Sequence, residues 1–128
     1  MMANPRRGLS PDESGTSAVE MALVFPIFLG FLFGIINIAL ALWTQGSLYY
    51  AAEAAARCAS VNATTCGSAA AIQTYALNQY LGQPLATNPF SYSASGCGHT
   101  VSASYTYSLS IPLFLTLSLP LSATACYP

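Results

Sequence analysis

The sequence predicts an α+β protein with a long N-terminal helix whose first half crosses a membrane, a second short helix and a small antiparallel C-terminal sheet or hairpin. Three observations lead to this prediction: an apolar run over residues 21–43, an alanine-rich stretch that continues it to Ala59, and strict alternation of apolar and small polar residues from Val101 onward. The 128 residues therefore form a membrane anchor and one small domain outside the membrane.

The composition excludes several classes of function. Hydrophobic residues make up 54% of the chain and charged residues 5%, and there is no Lys. A nucleic-acid binder needs several Lys or Arg side chains to neutralise phosphates, and a catalytic or metal site needs a cluster of acids, bases or ligands. The chain's few Arg residues and one His supply neither. We therefore expect no enzyme activity, metal, cofactor or small-molecule substrate, and no nucleic-acid partner.

The apolar run over residues 21–43 is long enough to cross a bilayer. As a helix it measures about 35 Å, against a hydrocarbon core of about 30 Å, and Asn37 is its one plainly polar residue. Arg6 and Arg7 precede the run, and no basic residue follows it closely. By the positive-inside rule the N-terminus lies in the cytoplasm and the C-terminal domain on the opposite side.

A secretory signal peptide is the alternative to a retained membrane helix. Ala39, Leu40 and Ala41 resemble a small-x-small cleavage site, and a cut there would release a domain beginning at Leu42. The apolar run is longer than the usual apolar region of a signal peptide, which favours the retained helix.

The helical pattern continues beyond the membrane. Residues 45–59 are rich in Ala, the strongest helix former, and predict one helix from near Thr16 to Ala59. After a loop, residues 68–81 predict a second helix that is ended by Gly82. A short strand is expected near residues 90–94.

The C-terminal segment alternates with a period of two, which is typical of half-buried strands. The apolar, odd-numbered members are Val101, Ala103, Tyr105, Tyr107, Leu109, Ile111, Leu115, Leu117, Leu119, Leu121, Ala123 and Ala125. Ser and Thr residues occupy most of the positions between them, and Pro112 predicts a turn. The segment therefore predicts an antiparallel hairpin with one buried and one wet face.

Four cysteines, Cys58, Cys66, Cys97 and Cys126, lie on the side predicted to be outside. They allow three pairings. A hairpin centred near residues 111–112 places Cys97 almost opposite Cys126, which leaves Cys58 to pair with Cys66. A zinc site is the alternative, but there is no CxxC spacing and one candidate His, so structural disulfides are favoured.

The residues before the apolar run resemble the processing site of type IV prepilins. Gly15 is followed by Thr16 and, five residues after the glycine, by Glu20 at the mouth of the long helix. In that superfamily a membrane-embedded prepilin peptidase cuts after the glycine, and the freed terminus and the Glu help to pack subunits into a filament. The resemblance implies cleavage between Gly15 and Thr16, with Glu20 as the recognition carboxylate. Without such a role, Glu20 would lie in the headgroup region and contact water.

More narrowly, the chain resembles the TadE-like pseudopilins of the bacterial tight-adherence (Tad) pilus system. The segments that carry this resemblance are residues 15–20, 22–26, 34–36 and 51–57. Four positions depart from the family's usual pattern. Met21 replaces an aromatic residue, Asn37 stands where an acidic residue is common, and Asp12 and Glu13 lie in a leader that is usually basic.

The resemblance implies a type IV pilin-like fold and boundaries for it. Residues 1–15 would be a cytoplasmic prepilin leader, residues 16–43 a transmembrane helix, and residues 44–128 an extracytoplasmic pilin-like domain. The protein would be a minor pilin of the bacterial inner membrane and of the pilus or cell surface, with its domain in the periplasm. Its partners would be prepilin peptidase, other pilin subunits and the pilus assembly platform, in pilus assembly, secretion and surface adherence. The alternative is a bitopic membrane protein whose periplasmic domain binds or scaffolds a partner and never joins a pilus.

Overall fold

The computed structural model describes residues 13–128, with side chains from residue 15 onward. Its elements in chain order are α1 (Glu13–Val61), α2 (Ala69–Gln79), β1 (Phe90–Ser95), β2 (Gly98–Ile111) and β3 (Leu115–Tyr127). This confirms the predicted α+β arrangement of a long helix, a short helix and a small antiparallel sheet. The expectations that concern Arg6, Arg7, Asp12 and the leader up to residue 12 lie outside the described residues.

The long helix α1 runs without a break for 49 residues, which corresponds to about 74 Å. One of its faces carries mostly small residues, spaced three and four apart, which the rest of the chain covers. We call this row the seam; it consists of Gly30, Gly34, Asn37, Ala41, Thr44, Leu48, Ala51 and Ala55. Such spacing places the side chains on one face of a helix, and their small size lets the sheet approach the helix backbone closely.

The sheet is an antiparallel meander in the order β1-β2-β3. β1 pairs with the first part of β2, from Ser95 opposite Gly98 to Phe90 opposite Ala103. β3 pairs with β2 along nearly its whole length, up to Ile111 opposite Leu115. The half of the β2–β3 hairpin nearest the turn is therefore two-stranded, while α2 packs on α1 and β1.

The hairpin lies along α1, from the middle of the helix to its C-terminal end. Near the turn, the ring of Phe114 lies over Gly30, so close that a Cβ there would be 2.9 Å from it. At the far end, Ser60 Oγ donates to the carbonyl of Pro128 at 2.8 Å. From Gly30 to Ser60 the helix rises about 45 Å, and from Phe114 to Pro128 a strand rises about as much. The helix α1 and the strand β3 therefore cover the same length and are in contact at both ends of it.

The second helix ends at Gln79 and not at the predicted Leu81. The chain instead turns onto α1, because the N–H of Leu81 donates to Ser47 Oγ at 2.6 Å and its carbonyl accepts from Trp43 Nε1 at 3.1 Å. Both backbone groups of Leu81 thus bond to α1 side chains and are not free to extend α2. The start of α2 agrees with the prediction, with Ser68 as its N-cap.

The predicted alternation of buried and wet faces is confirmed on β2 and on the distal half of β3. The buried members are Val101, Ala103, Tyr107, Leu109, Leu121 and Ala123. The prediction is wrong for Leu115, Leu117 and Leu119, which are 52%, 49% and 37% exposed. These three lie in the two-stranded half of the hairpin, where β1 and α2 do not extend and α1 leaves the β3 side uncovered.

Two disulfides close the domain, and they are the pairs that the hairpin geometry favours. Cys58 and Cys66, with Cα atoms 5.8 Å apart, join the end of α1 to the loop before α2. Cys97 and Cys126, 6.3 Å apart, join the β1–β2 turn to the end of β3. The first bond therefore fixes the end of α1, and the second fixes the end of the sheet that lies away from the hairpin turn.

A first prediction concerns the β1–β2 turn, where Gly96 and Gly98 have φ values of 56° and 125°. A Cβ at Gly98 would lie 2.6 Å from the carbonyl oxygen of Tyr127, whereas one at Gly96 would meet nothing within 4 Å. We expect Gly96→Ala to cost about 1–2 kcal/mol for the left-handed backbone alone, and Gly98→Ala to cost more, because the β2–β3 pair must also open. Urea unfolding of both variants in detergent micelles measures this difference. Equal losses would contradict it.

Candidate processing and packing site

The residues of the predicted processing site lie in the first two turns of α1. Gly15, Thr16 and Glu20 are all exposed. Because α1 begins at Glu13, the bond between Gly15 and Thr16 lies in the first turn, where the N–H groups have no partner inside the helix. Glycine also disfavours the helix by about 1 kcal/mol relative to alanine. The bond therefore lies where α1 unwinds most easily and where another protein has access to it.

The spacing of Thr16 and Glu20 relates a new N-terminus to the carboxylate. Residues four apart lie on the same helix face, about 6 Å apart along the axis. If the chain began at Thr16, its α-amino group would be positively charged at neutral pH. Such a charge compensates a carboxylate at the edge of an apolar phase. Since Glu20 is exposed, the amino group of its own chain or of a neighbouring chain can reach it.

The N-terminal part of α1 projects away from the rest of the protein. Every side chain from residue 15 to residue 28 is exposed, including Leu23 at 69% and Phe28 at 58%. Within residues 13–128, α1 is the one helix long and apolar enough to cross a membrane; its most apolar window has a mean hydropathy of 2.5, and none of that window is buried. The core helix of a soluble protein would bury such side chains. The helix is therefore suited to single-pass membrane anchoring.

Asn37, the polar residue of the apolar run, joins the helix to the hairpin. Its Nδ2 donates to the carbonyl of Phe33 at 2.9 Å and to that of Ser110 at 3.4 Å. One turn earlier, a Cβ on Gly34 would be in ordinary contact with Ile111 at 3.6 Å. The sequence analysis missed these contacts, although the seam's spacing of small residues was the signal for them. Contact with the domain thus begins near Gly30, well before residue 44.

The turn of the hairpin consists of residues 112–114 and is centred on Leu113, one to two residues later than predicted. The N–H of Phe114 donates to the carbonyl of Ile111 at 3.1 Å. With Pro112 at the second position and a φ of 69° at Leu113, the turn has the features of type II, which favours glycine at its third position. Leu113 is 100% exposed.

Two titratable side chains of the domain, His99 and Tyr80, contact other aromatic side chains. His99 Nδ1 lies 2.7 Å from the hydroxyl of Tyr92 across the β1–β2 pair. Burial raises the pKa of the Tyr80 phenol, whose ring packs edge-on against Phe90. Within residues 13–128, no three His, Cys, Asp or Glu side chains come together as metal ligands.

The two charged side chains of the domain, Glu53 and Arg57, are exposed on α1. With Tyr50 and Tyr75 they line an open groove of about 520 Å³ on the side of α1 that faces α2. Both residues lie within the stretch whose sequence resembles the pseudopilins. The groove therefore places the two charged side chains of the domain beside two tyrosine rings.

Comparison with known proteins gives one match. The family described as TadE-like protein matches residues 15–57, about a third of the chain. The match includes Gly15, Thr16, Glu20 and the helix as far as Arg57, and it confirms the sequence resemblance over these residues. No curated protein and no solved structure matches the chain.

Proposed function

We propose that this chain, whose residues 15–57 match the TadE-like family, is a minor pilin, or pseudopilin, of a Tad-type pilus. Prepilin peptidase removes the leader by cutting after Gly15. The mature subunit then acts with other pilin subunits and the assembly platform in pilus assembly, secretion and surface adherence. Its role is structural, through helix packing, and it catalyses no reaction.

One observation carries the proposal: the Gly15–Thr16 bond lies in an exposed first turn, with Glu20 one turn further along an apolar helix whose residues 15–28 are all exposed. A peptidase has access to such a bond, and a freed amino group would face the carboxylate on the same helix side. The uncovered helix can contact lipid before assembly and other helices after it. The same side chains therefore serve both stages.

The proposed location is the bacterial inner membrane, with the N-terminus in the cytoplasm and the domain in the periplasm. Arg6 and Arg7 favour this orientation by the positive-inside rule. The disulfides support it independently, because such bonds form and persist in oxidising compartments and all four cysteines follow the apolar run.

The fold also supports a retained helix over release by signal peptidase. Ala41, the last residue before that alternative cut, is 3% exposed within the seam. The contacts of Gly30 with Phe114 and of Asn37 with Ser110 lie on the segment that such a cut would remove. The domain would thus lose part of the helix on which its hairpin packs.

The test is the amino terminus of the protein isolated from membranes of its native host. We expect intact mass to give a chain that begins at Thr16, and Gly15→Val to retain the leader, because the branched side chain blocks the peptidase. Gly46→Val is the matched control, since Gly46 lies in the same helix, is exposed and has nothing within 4 Å of its Cβ position. This control should be processed normally.

Pilus assembly is the second readout of the same variants. We expect surface pili to be lost with Gly15→Val and kept with Gly46→Val. A wild-type chain that begins at Met1 or Met2 would contradict processing and leave the bitopic scaffold as the better account. A chain that begins at Leu42 would instead identify a secreted domain. Normal processing with pili unaffected by loss of the protein would contradict the assembly role alone.

A further inference from the structure

The hairpin turn places a large apolar side chain where neither its backbone nor its surroundings favour one. Leu113 has a φ of 69°, a conformation that glycine adopts freely and that a leucine adopts only with strain. No part of the described chain covers it, since the side chain is 100% exposed. Residues held in such conformations are found where the side chain has a task. Any partner of the Leu113 side chain therefore lies outside the described chain.

The neighbours of Leu113 extend this apolar surface. We call residues 111–115 the hairpin tip; its exposed members also include Phe114 at 57% and Leu115 at 52%. Between the tip and α1 lies an open groove of about 390 Å³, lined entirely by Gly and apolar side chains, among them Ile27, Phe31 and Ile38. The tip and the uncovered helix thus form one continuous apolar surface.

The position of the tip along α1 is the decisive observation. Phe114 packs on Gly30, which lies in the middle of the apolar run. The first polar contact between hairpin and helix, from Asn37 to the carbonyl of Ser110, lies about 10 Å further along the helix axis. Residues 16–36, on the other side of Asn37, measure about 32 Å as a helix, which matches the hydrocarbon core of a bilayer and leaves Glu20 within about 6 Å of its inner boundary.

From these positions we propose that the hairpin tip inserts into the outer leaflet of the membrane. The inference rests on the membrane anchoring of α1 but goes beyond the pilin role. The Asn37–Ser110 contact lies at the outer boundary of the hydrocarbon core, and Leu113 reaches about 10 Å below it. The span is then residues 16–36, and residues 37–43 belong to the periplasmic domain.

The chemistry of the tip fits this environment. No Asp, Glu, Lys or Arg occurs after Arg57, so insertion buries no charge. Pro112 has no N–H, and the N–H of Phe114 already bonds to Ile111, which reduces the number of backbone donors that lipid would leave unsatisfied. The unpaired strand edges limit the insertion to the tip, because their backbone groups need water further up.

Lipid is a better occupant than a second copy of the chain for a geometric reason. The groove and Leu113 face the same medium as Phe28 and Phe31, which are 58% and 71% exposed on the apolar helix. For an anchored subunit that medium is acyl chains. A second chain would have to cover the tip and the helix at the same depth before any pilus has formed.

The test is depth-dependent quenching of a single tryptophan in the full chain. Trp43, the one tryptophan of the protein, is replaced by Phe, and L113W is introduced. The protein is reconstituted at low protein-to-lipid ratio in phosphatidylcholine vesicles that carry bromine on the upper part of the acyl chains. We expect L113W to lose most of its emission relative to vesicles without bromine, and to do so equally at several protein-to-lipid ratios.

Two matched variants frame this result. F28W lies on the exposed apolar helix and should be quenched; T106W lies on the exposed polar face of β2, about 23 Å from Leu113 along the strand, and should not be. Quenching of F28W without L113W would overturn the inference and leave anchoring intact. Quenching of neither would overturn the anchoring and the inference with it. Quenching of L113W that disappears as the protein-to-lipid ratio rises would overturn lipid as the occupant and identify a second copy.

Discussion

The double variant C97S/C126S is expected to lose about 3.5 kcal/mol of unfolding free energy, the loop-closure entropy of a bond that spans 29 residues. This is a large share of the stability of a small domain, which is typically about 5–15 kcal/mol. The loss falls on the sheet, because the bond holds the β1–β2 turn against the end of β3. We expect the end of the β2–β3 hairpin that carries Cys126, opposite its turn, to open first.

The matched control is C58S/C66S, whose bond spans 8 residues and for which the same argument gives about 2.5 kcal/mol. Both variants are unfolded by urea in detergent micelles, with the emission of Trp43 as the reporter, since its indole N–H bonds to Leu81. Under reducing conditions, which break both disulfides, the unfolding free energy of the wild type should fall below that of either variant measured under oxidising conditions. A larger loss for C58S/C66S would contradict the entropic ranking.

Leu48→Ala is expected to destabilise the domain by about 2–5 kcal/mol, the range for deleting a buried leucine side chain. Leu48 is fully buried and is among the largest side chains of the core that have no exposed surface. Its neighbours Ala51, Ala52 and Ala55 are small and sit on the rigid helix, so they cannot move in to fill the space. We therefore expect the upper part of this range.

Leu42→Ala is the control for this second variant. It removes the same atoms from the same helix, six positions earlier, at a residue that is 68% exposed. The urea midpoints of the two variants in micelles give the comparison. A loss at Leu42 as large as that at Leu48 would show that helix propensity or detergent contact, and not the core, sets the effect.

The parts of the fold that could be predicted are those with a local signal. The continuous apolar and Ala-rich stretch determines α1, and alternation from Val101 determines the two long strands, because both patterns reflect the geometry of a few neighbouring residues. The disulfide pairing followed from the same hairpin. The proposed processing motif is equally local, since Gly15, Thr16 and Glu20 lie within two helical turns, and its cleavage stays a prediction.

The parts that could not be predicted depend on distant contacts. α2 stops at Gln79 because Leu81 bonds to Ser47 and Trp43 of another helix, which no local pattern encodes. Alternation correctly placed Leu117 on the same face of β3 as the buried Leu121. It could not show that no other element covers Leu117. The contact of Gly30 with Phe114 could not be predicted, because it depends on α1 and β3 covering the same length along a common axis. Only the assembled fold shows that they do.

The parallel course of the hairpin and α1 has a mechanical consequence. A pull on the domain along the helix axis, as in drawing a subunit out of a bilayer, loads the contacts between Gly30 and Ser60 in shear. Such a pull loads all of these contacts at once, whereas a pull across the axis would break them one after another. Force is thus transmitted to the anchor along about 45 Å of helix. We therefore expect the helix and hairpin to resist a pull along this axis better than a pull across it.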